Sequence, residues 1–162
     1  TYPDRLRRVF LNGFDRFNNN PEMYKEIRTL MHEKGNSYED PDDPVSFIIK
    51  HDLSAENINL LIELFKKDDT DITLKNILQN IYLVLDNKYS YLEESIKEKV
   101  NYKNSFSNIY NDSMHMIIGM HAKCFVTNDK MVERKSKIIY NALGITTKIL
   151  SFGEFLDYAK NL

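Results

Sequence analysis

Apolar residues recur at helical spacing along most of this chain. The strongest run covers residues 112–126, DSMHMIIGMHAKCFV. Met114, Ile117, Ile118, His121, Cys124 and Phe125 share one helical face there, with Met116 and Met120 beside it. Gly119 and Ala122 leave room for a close neighbour, and Asp112 is placed to cap the first turn. A helix apolar over most of its girth is normally surrounded by other helices. The run is therefore expected to be the central helix of a bundle. At roughly 15 residues it falls short of the ~20 that span a bilayer.

The remaining segments read as helices too. Leu6, Val9, Phe10, Phe14 and Phe17 stripe a first helix over 4–18, ended by Asn18-Asn19-Asn20-Pro21. Met23, Ile27, Leu30 and Met31 stripe a second, which stops at Gly35-Asn36. Val45 to Lys50 reads as a short helical turn. Ser54 caps a helix to about residue 67 that turns Ile58, Leu61, Ile62 and Phe65 inward, with a Leu53–Ile58 staple. Residues 70–85 form the next helix, facing inward through Leu74, Ile77, Leu78, Ile81 and Leu85. Ser90-Tyr91-Leu92-Glu93 is a capping box that starts another, bearing Leu92, Ile96 and Val100. Residues 101–111 are polar and read as a loop. After the central run, Thr127-Asn128-Asp129 turns and caps a helix to Leu143, with Met131, Ile138, Ile139 and Ala142 inward and Gly144 as terminator. Ser151-Phe152-Gly153-Glu154 is a second capping box, with a Leu150–Phe155 staple, and the last helix turns Phe155, Ala159 and Leu162 inward. No run alternates as a half-buried strand would, and no internal repeat is visible. The expected fold is all-α: one domain over 1–162, a bundle of about seven helices around a central hydrophobic helix.

Composition narrows the function classes. A net charge of −2 supplies no basic field for nucleic acid or a membrane surface. The single Cys124 has no internal disulfide partner, which suits a reducing compartment. No signal peptide or membrane span is visible, although the chain opens at Thr1 rather than Met and leaves room for an upstream segment.

Candidate chemistry is sparse. Glu39, Asp40, Asp42 and Asp43 sit in a Pro-punctuated loop that lacks the Gly and Glu of a calcium-binding EF-hand loop. His32, His51, His115 and His121 lack ligand spacing; metal-binding helices use steps of four, or three with Glu. His121 reads as a core histidine and Cys124 as a buried inert thiol; an enzyme built on them is the least favoured class. Arg5, Arg7 and Arg8, and then Lys130, Arg134, Lys135 and Lys137, read as solvated or ion-paired. There is no phosphate loop, nucleophile elbow or Cys-x-x-Cys pair. The sequence thus points to a non-enzymatic protein, with no catalytic residue, cofactor, metal or small-molecule substrate.

Residues 113–162, with Ile118-Gly119-Met120-His121-Ala122 at their head, resemble the C-terminal part of the poxvirus Bcl-like immune-evasion proteins. Met23-Tyr24-Lys25-Glu26-Ile27 and the LKNILQNIYLVLD stretch from Leu74 are similar to helices of that group. The resemblance implies a Bcl-2-like bundle in the host cytoplasm. It would bind host innate-immune signalling proteins and suppress NF-κB or interferon induction. The alternatives are an apoptosis inhibitor that binds pro-apoptotic helices, or a fragment of a HEAT-like helical scaffold. Where cellular Bcl relatives carry Asn-Trp-Gly-Arg, this chain reads Asn111-Asp112-Ser113-Met114, and no hydrophobic anchor ends it. Both departures favour the signalling branch.

Relatives of that family use the first helix and the one after the central helix for docking or self-association. On those helices Arg8, Leu11 and Asp15, and then Glu133, Lys137 and Tyr140, lie opposite the expected inward stripes. These six residues are the expected partner or homodimer face.

Overall fold

Every residue from 77 to 86 is buried, and the helix that carries them is the axis of the described part of the molecule. A computed structural model describes residues 54–68, 70–94 and 106–162, together with Phe17, Asn19, Asn20, Glu22 and Met23. In chain order the elements are α1 (Ala55–Asp68), α2 (Leu74–Glu94), α3 (Phe106–Gly119), β1 (Cys124–Val126), α4 (Lys130–Leu143), β2 (Lys148–Leu150) and α5 (Phe152–Lys160). Most of the described chain is helical, as expected. The expected bulk of the first two helices, the acidic loop and the 45–50 turn lie outside the described residues.

Helix α1 forms as its pattern predicts. The Ser54 hydroxyl accepts from the Asn57 amide at 3.3 Å, and Ile58, Leu61, Ile62 and Phe65 are buried. Thr73 does the same for α2, accepting from Asn76 at 3.2 Å. Leu74, expected inside, is exposed, whereas Ile77, Leu78, Ile81 and Leu85 are buried. Helix α2 then runs through Ser90 to Glu94, where the capping box predicted a fresh start. Asp86-Asn87-Lys88-Tyr89 holds no Gly or Pro to break the helix, so it continues across the box.

The expected central helix over 112–126 is corrected in three ways. Helix α3 begins at Phe106, inside the expected loop, so Asp112 lies within the helix and does not cap it. Its buried face is Phe106, Ile109, Ser113, Met116 and Gly119, rotated from the expected stripe, and Ile118 is 63% exposed. It ends at Gly119, onto which the Phe125 ring and the Tyr140 hydroxyl pack closely. A Cβ on Gly119 would stand 2.7 Å from the Tyr140 hydroxyl and 3.0 Å from the Phe125 ring. His121, expected in the core, is exposed, and Cys124 is half-buried.

Cys124, Phe125 and Val126 are a strand, so the expected all-α fold also needs correction. Strand β1 pairs in parallel with β2, in the register Cys124↔Lys148, Phe125↔Ile149 and Val126↔Leu150. Parallel neighbours need a crossover, and α4 supplies it. The Asp129 carboxylate caps α4, accepting from Met131 at 2.8 Å and Val132 at 3.1 Å. Gly144, at φ 66°, takes the left-handed backbone that closes the helix. Ser151 and Glu154 form the expected capping box of α5. That helix buries no residue: Phe155 is half-buried, while Ala159 and Leu162, expected inside, are exposed.

Helix α1 packs mainly on α4, and α2 lies against α1, α3 and α4. Phe17 is fully buried and meets Phe106 edge-on, with centroids 5.4 Å apart. Among the described residues, no helix is long and apolar enough to cross a membrane.

Candidate functional site

Polar side chains of α2 and α4 meet at Lys135, and Asp112 of α3 and the exposed Asp129 act on them by charge. Helix α2 contributes Tyr82 and Asp86, both buried. Helix α3 contributes Asp112, half-buried, with the exposed His115 one turn further on. The turn after β1 contributes Asp129, and α4 contributes Lys135, buried at 3% exposure.

Lys135 is anchored. Its Nζ donates to Asp86 Oδ1 at 2.7 Å and lies 4.5 Å above the centre of the Tyr82 ring. The Tyr82 hydroxyl is buried without a hydrogen-bond partner among the described residues. Burial first, then the charges of Asp112, Asp86 and Asp129, hold that phenol far above its ordinary range.

Asp112 responds to the same crowding. Burial pushes its carboxyl above the usual 3.8; Asp129 and Asp86 add to the rise, while Lys135 and His115 oppose it. Among the described residues, no hydrogen bond or ion pair holds this carboxylate. Asp129 accepts both of its capping bonds at Oδ1, so its Oδ2 takes no part in the cap. Among the described residues, no group of three or more His, Cys, Asp or Glu side chains is gathered so as to hold a metal ion by itself.

The expected partner face is described only in its α4 half. Arg8, Leu11 and Asp15 lie outside the described residues. Tyr140 was expected outside but is 3% exposed, and its hydroxyl donates to the Met116 carbonyl at 2.5 Å. Desolvation pushes this phenol up to about 12. The inward face of α4 is Val132, Lys135, Ser136, Ile139 and Tyr140, rotated from the expected stripe by about one residue. Tyrosine satisfies both requirements at that spot, with an apolar ring and a polar tip that finds a carbonyl. Glu133 and Lys137 do sit at the surface edge of α4. Lys137 reaches Glu133 at 2.6 Å and Lys130 reaches it at 3.1 Å, and these two bonds hold its carboxyl below the ordinary range. With the buried Lys135 also paired, all three lysines of this stretch are ion-paired.

Sequence reasoning assigned Asp112 and Asp129 to helix capping, read Lys135 as solvated or ion-paired, and passed over Tyr82 and Asp86. One signal was available: a Thr-Asn-Asp turn directly after a short apolar Cys-Phe-Val run. Protein-family models, curated proteins and solved structures were all compared with this chain, and none of them matches it.

Proposed function

We propose that Asp112 and Asp129, whose charges both act on the buried Tyr82 hydroxyl, form a divalent-cation site that cleaves phosphate esters. The observation that carries this reading is the Asp112 carboxylate. It is half-buried and crowded by Asp129 and Asp86, and no bond from the described protein holds it. Structures retain such a group when a ligand of opposite charge completes it. Magnesium is commonly held by one or two carboxylates, keeps several waters, and takes further oxygens from substrate phosphates. Two carboxylates thus suffice without a cage of protein ligands. A cation here would polarise a phosphoryl oxygen and lower the pKa of a bound water.

The test is calorimetric titration of Mg²⁺ or Mn²⁺ into the wild-type chain and Asp112→Asn. A hydrolysis assay on bis(p-nitrophenyl) phosphate and a single-stranded oligonucleotide accompanies it. Saturable binding and hydrolysis that both disappear in Asp112→Asn are the expected result. A wild-type chain that binds neither ion at millimolar concentration overturns the reading.

The second reading is the non-enzymatic interaction module, a Bcl-2-like bundle of about seven helices that binds host signalling proteins. The mainly helical architecture supports it, as do the exposed apolar side chains Ile118, Phe152 and Leu156. The parallel strand pair and the burial of Tyr140 weigh against it. Affinity capture from transfected cells separates the two readings. Signalling proteins retained equally by wild type and Asp112→Asn would favour the module.

A further inference from the structure

We infer that Met114 is an oxidation site built into the junction of α2 and α3, where a peroxide converts its thioether to a sulfoxide that the Gln79 amide then holds. Gln79 is buried at 5% exposure, and its Nε2 donates to the Met114 sulfur at 3.3 Å. Among the described residues, no other methionine sulfur accepts a hydrogen bond. A thioether is a weak acceptor, so this bond satisfies the buried amide poorly. A sulfoxide oxygen is polar and accepts strongly. Met114 is half-buried, where a small oxidant reaches it, whereas Met116 on the same helix is fully buried. One sulfur lone pair faces the amide, and the second attacks a peroxide oxygen. The O–O bond breaks and the attacked oxygen stays on sulfur. Its proton passes to the departing hydroxide, which leaves as water. Sulfur is oxidised by two electrons and the peroxide is reduced by two. Rotation about the side-chain bonds of Met114 and Gln79 brings the new oxygen to the amide. Methionine oxidation ordinarily disrupts a packed core, because a polar group enters it without a donor. Here the donor is already in place on the facing helix, so the sulfoxide tightens the contact between α2 and α3. The chain thus consumes a peroxide without loosening its fold.

Hydrogen peroxide is the probe, added to the folded full chain, with peptide mapping by mass spectrometry to follow each methionine. Met114 should gain oxygen faster than the buried Met116, because susceptibility follows exposure. Thermal melting is then recorded before and after oxidation for wild type, Gln79→Leu and Met114→Leu. The Met114→Leu chain reports what the other methionines contribute. On oxidation, wild type should lose no more melting temperature than this control. In Gln79→Leu the sulfoxide has lost its donor, so oxidation should lower the melting temperature further than in the control. Met114 reacting no faster than Met116 would overturn the inference. So would equal falls in wild type and Gln79→Leu. If Gln79→Leu does not fold, the wild-type chain still decides. A fall on oxidation larger than that of Met114→Leu overturns the inference, and an equal or smaller fall upholds it.

Discussion

Helix α2 buries two kinds of surface within one run. Ile77, Leu78, Ile81, Leu83, Val84 and Leu85 are apolar and sit in the core shared with α1, α3 and α4. Gln79, Asn80, Tyr82 and Asp86 are buried beside them but carry polar groups. Burying the first set stabilises the fold by roughly 25 cal/mol per Å² of apolar surface. Burying the second set is unfavourable unless each group finds a partner. Gln79 donates to the Met114 sulfur at 3.3 Å, and Asn80 donates to the Asn76 carbonyl at 2.8 Å. The Asn80 carbonyl oxygen and the hydroxyls of Tyr82 and Ser136 have no partner among the described residues. Stability accounts for the apolar set. In the polar set, Gln79, Asp86 and the Asn80 amide nitrogen have partners, and the Tyr82 hydroxyl and the Asn80 oxygen have none among the described residues.

The largest expected effect is on the polar side. Lys135→Met leaves Asp86 buried without its ammonium, and breaking such a pair costs about 3–5 kcal/mol. The double change Lys135→Met with Asp86→Leu should recover most of that loss, because apolar replacement of a whole buried pair is often neutral. Urea unfolding of the two variants measures both quantities. If the single change costs less than about 1 kcal/mol, the pair is solvated and the contrast between the two sets disappears.

On the apolar side, Ile81→Ala should cost about 2–5 kcal/mol, the usual penalty for a large-to-small change in a packed core. Ile118→Ala is its control. That side chain is 63% exposed and should cost no more than about 0.5 kcal/mol. Equal losses at the two positions would mean that α3, not α2, is the central helix.

These two isoleucines show how far the sequence could be read. The caps of α1, α4 and α5 were legible, because Ser54, Asp129 and Ser151 act on amides three residues away or fewer. The inward stripes of α1 and α2 were legible for the same local reason. Which helix is central depends on how much each is wrapped by others, and periodicity does not encode that. The run over 112–126 is the most apolar, yet it divides at Gly119, where Tyr140 arrives from α4 and Phe125 folds back from β1. Strand β1 was hidden because three residues cannot display alternation and its partner β2 lies beyond α4. The candidate site was illegible for a related reason. Tyr82 and Asp86, Asp112, Asp129 and Lys135 come from four separate segments, and each looks ordinary in its own.

A smaller effect concerns Asp112 and pH. Its folded pKa lies above the unfolded value, so the folded state holds the proton more tightly. The stability it contributes is present below the unfolded pKa, falls as pH rises toward the raised folded value, and stays low above that. In buffer free of divalent cations, Asp112→Asn should therefore melt higher than wild type at neutral pH. It should also lose the part of the decline that begins just above pH 3.8. A variant that melts lower than wild type at neutral pH would mean that the carboxylate is held by favourable bonds and is not crowded.

The smallest expected change in stability is at Tyr82. Its ring is fully buried and lies under the Lys135 ammonium, so it belongs to the apolar set by packing. Its hydroxyl belongs to the polar set and is unpartnered among the described residues. Tyr82→Phe keeps the ring and removes only the oxygen. Removing an unsatisfied buried hydroxyl sacrifices no hydrogen bond and relieves its desolvation, so the variant should be unchanged or more stable by up to about 1 kcal/mol. If the hydroxyl serves the site, Mn²⁺ binding or phosphodiester hydrolysis should weaken in the same variant. Urea unfolding and metal titration on one preparation read both quantities. Loss of function without loss of stability would separate the two kinds of burial at a single residue. A loss of stability above about 1 kcal/mol would show instead that the hydroxyl is satisfied in the folded chain, and Tyr82 would then belong to the core alone.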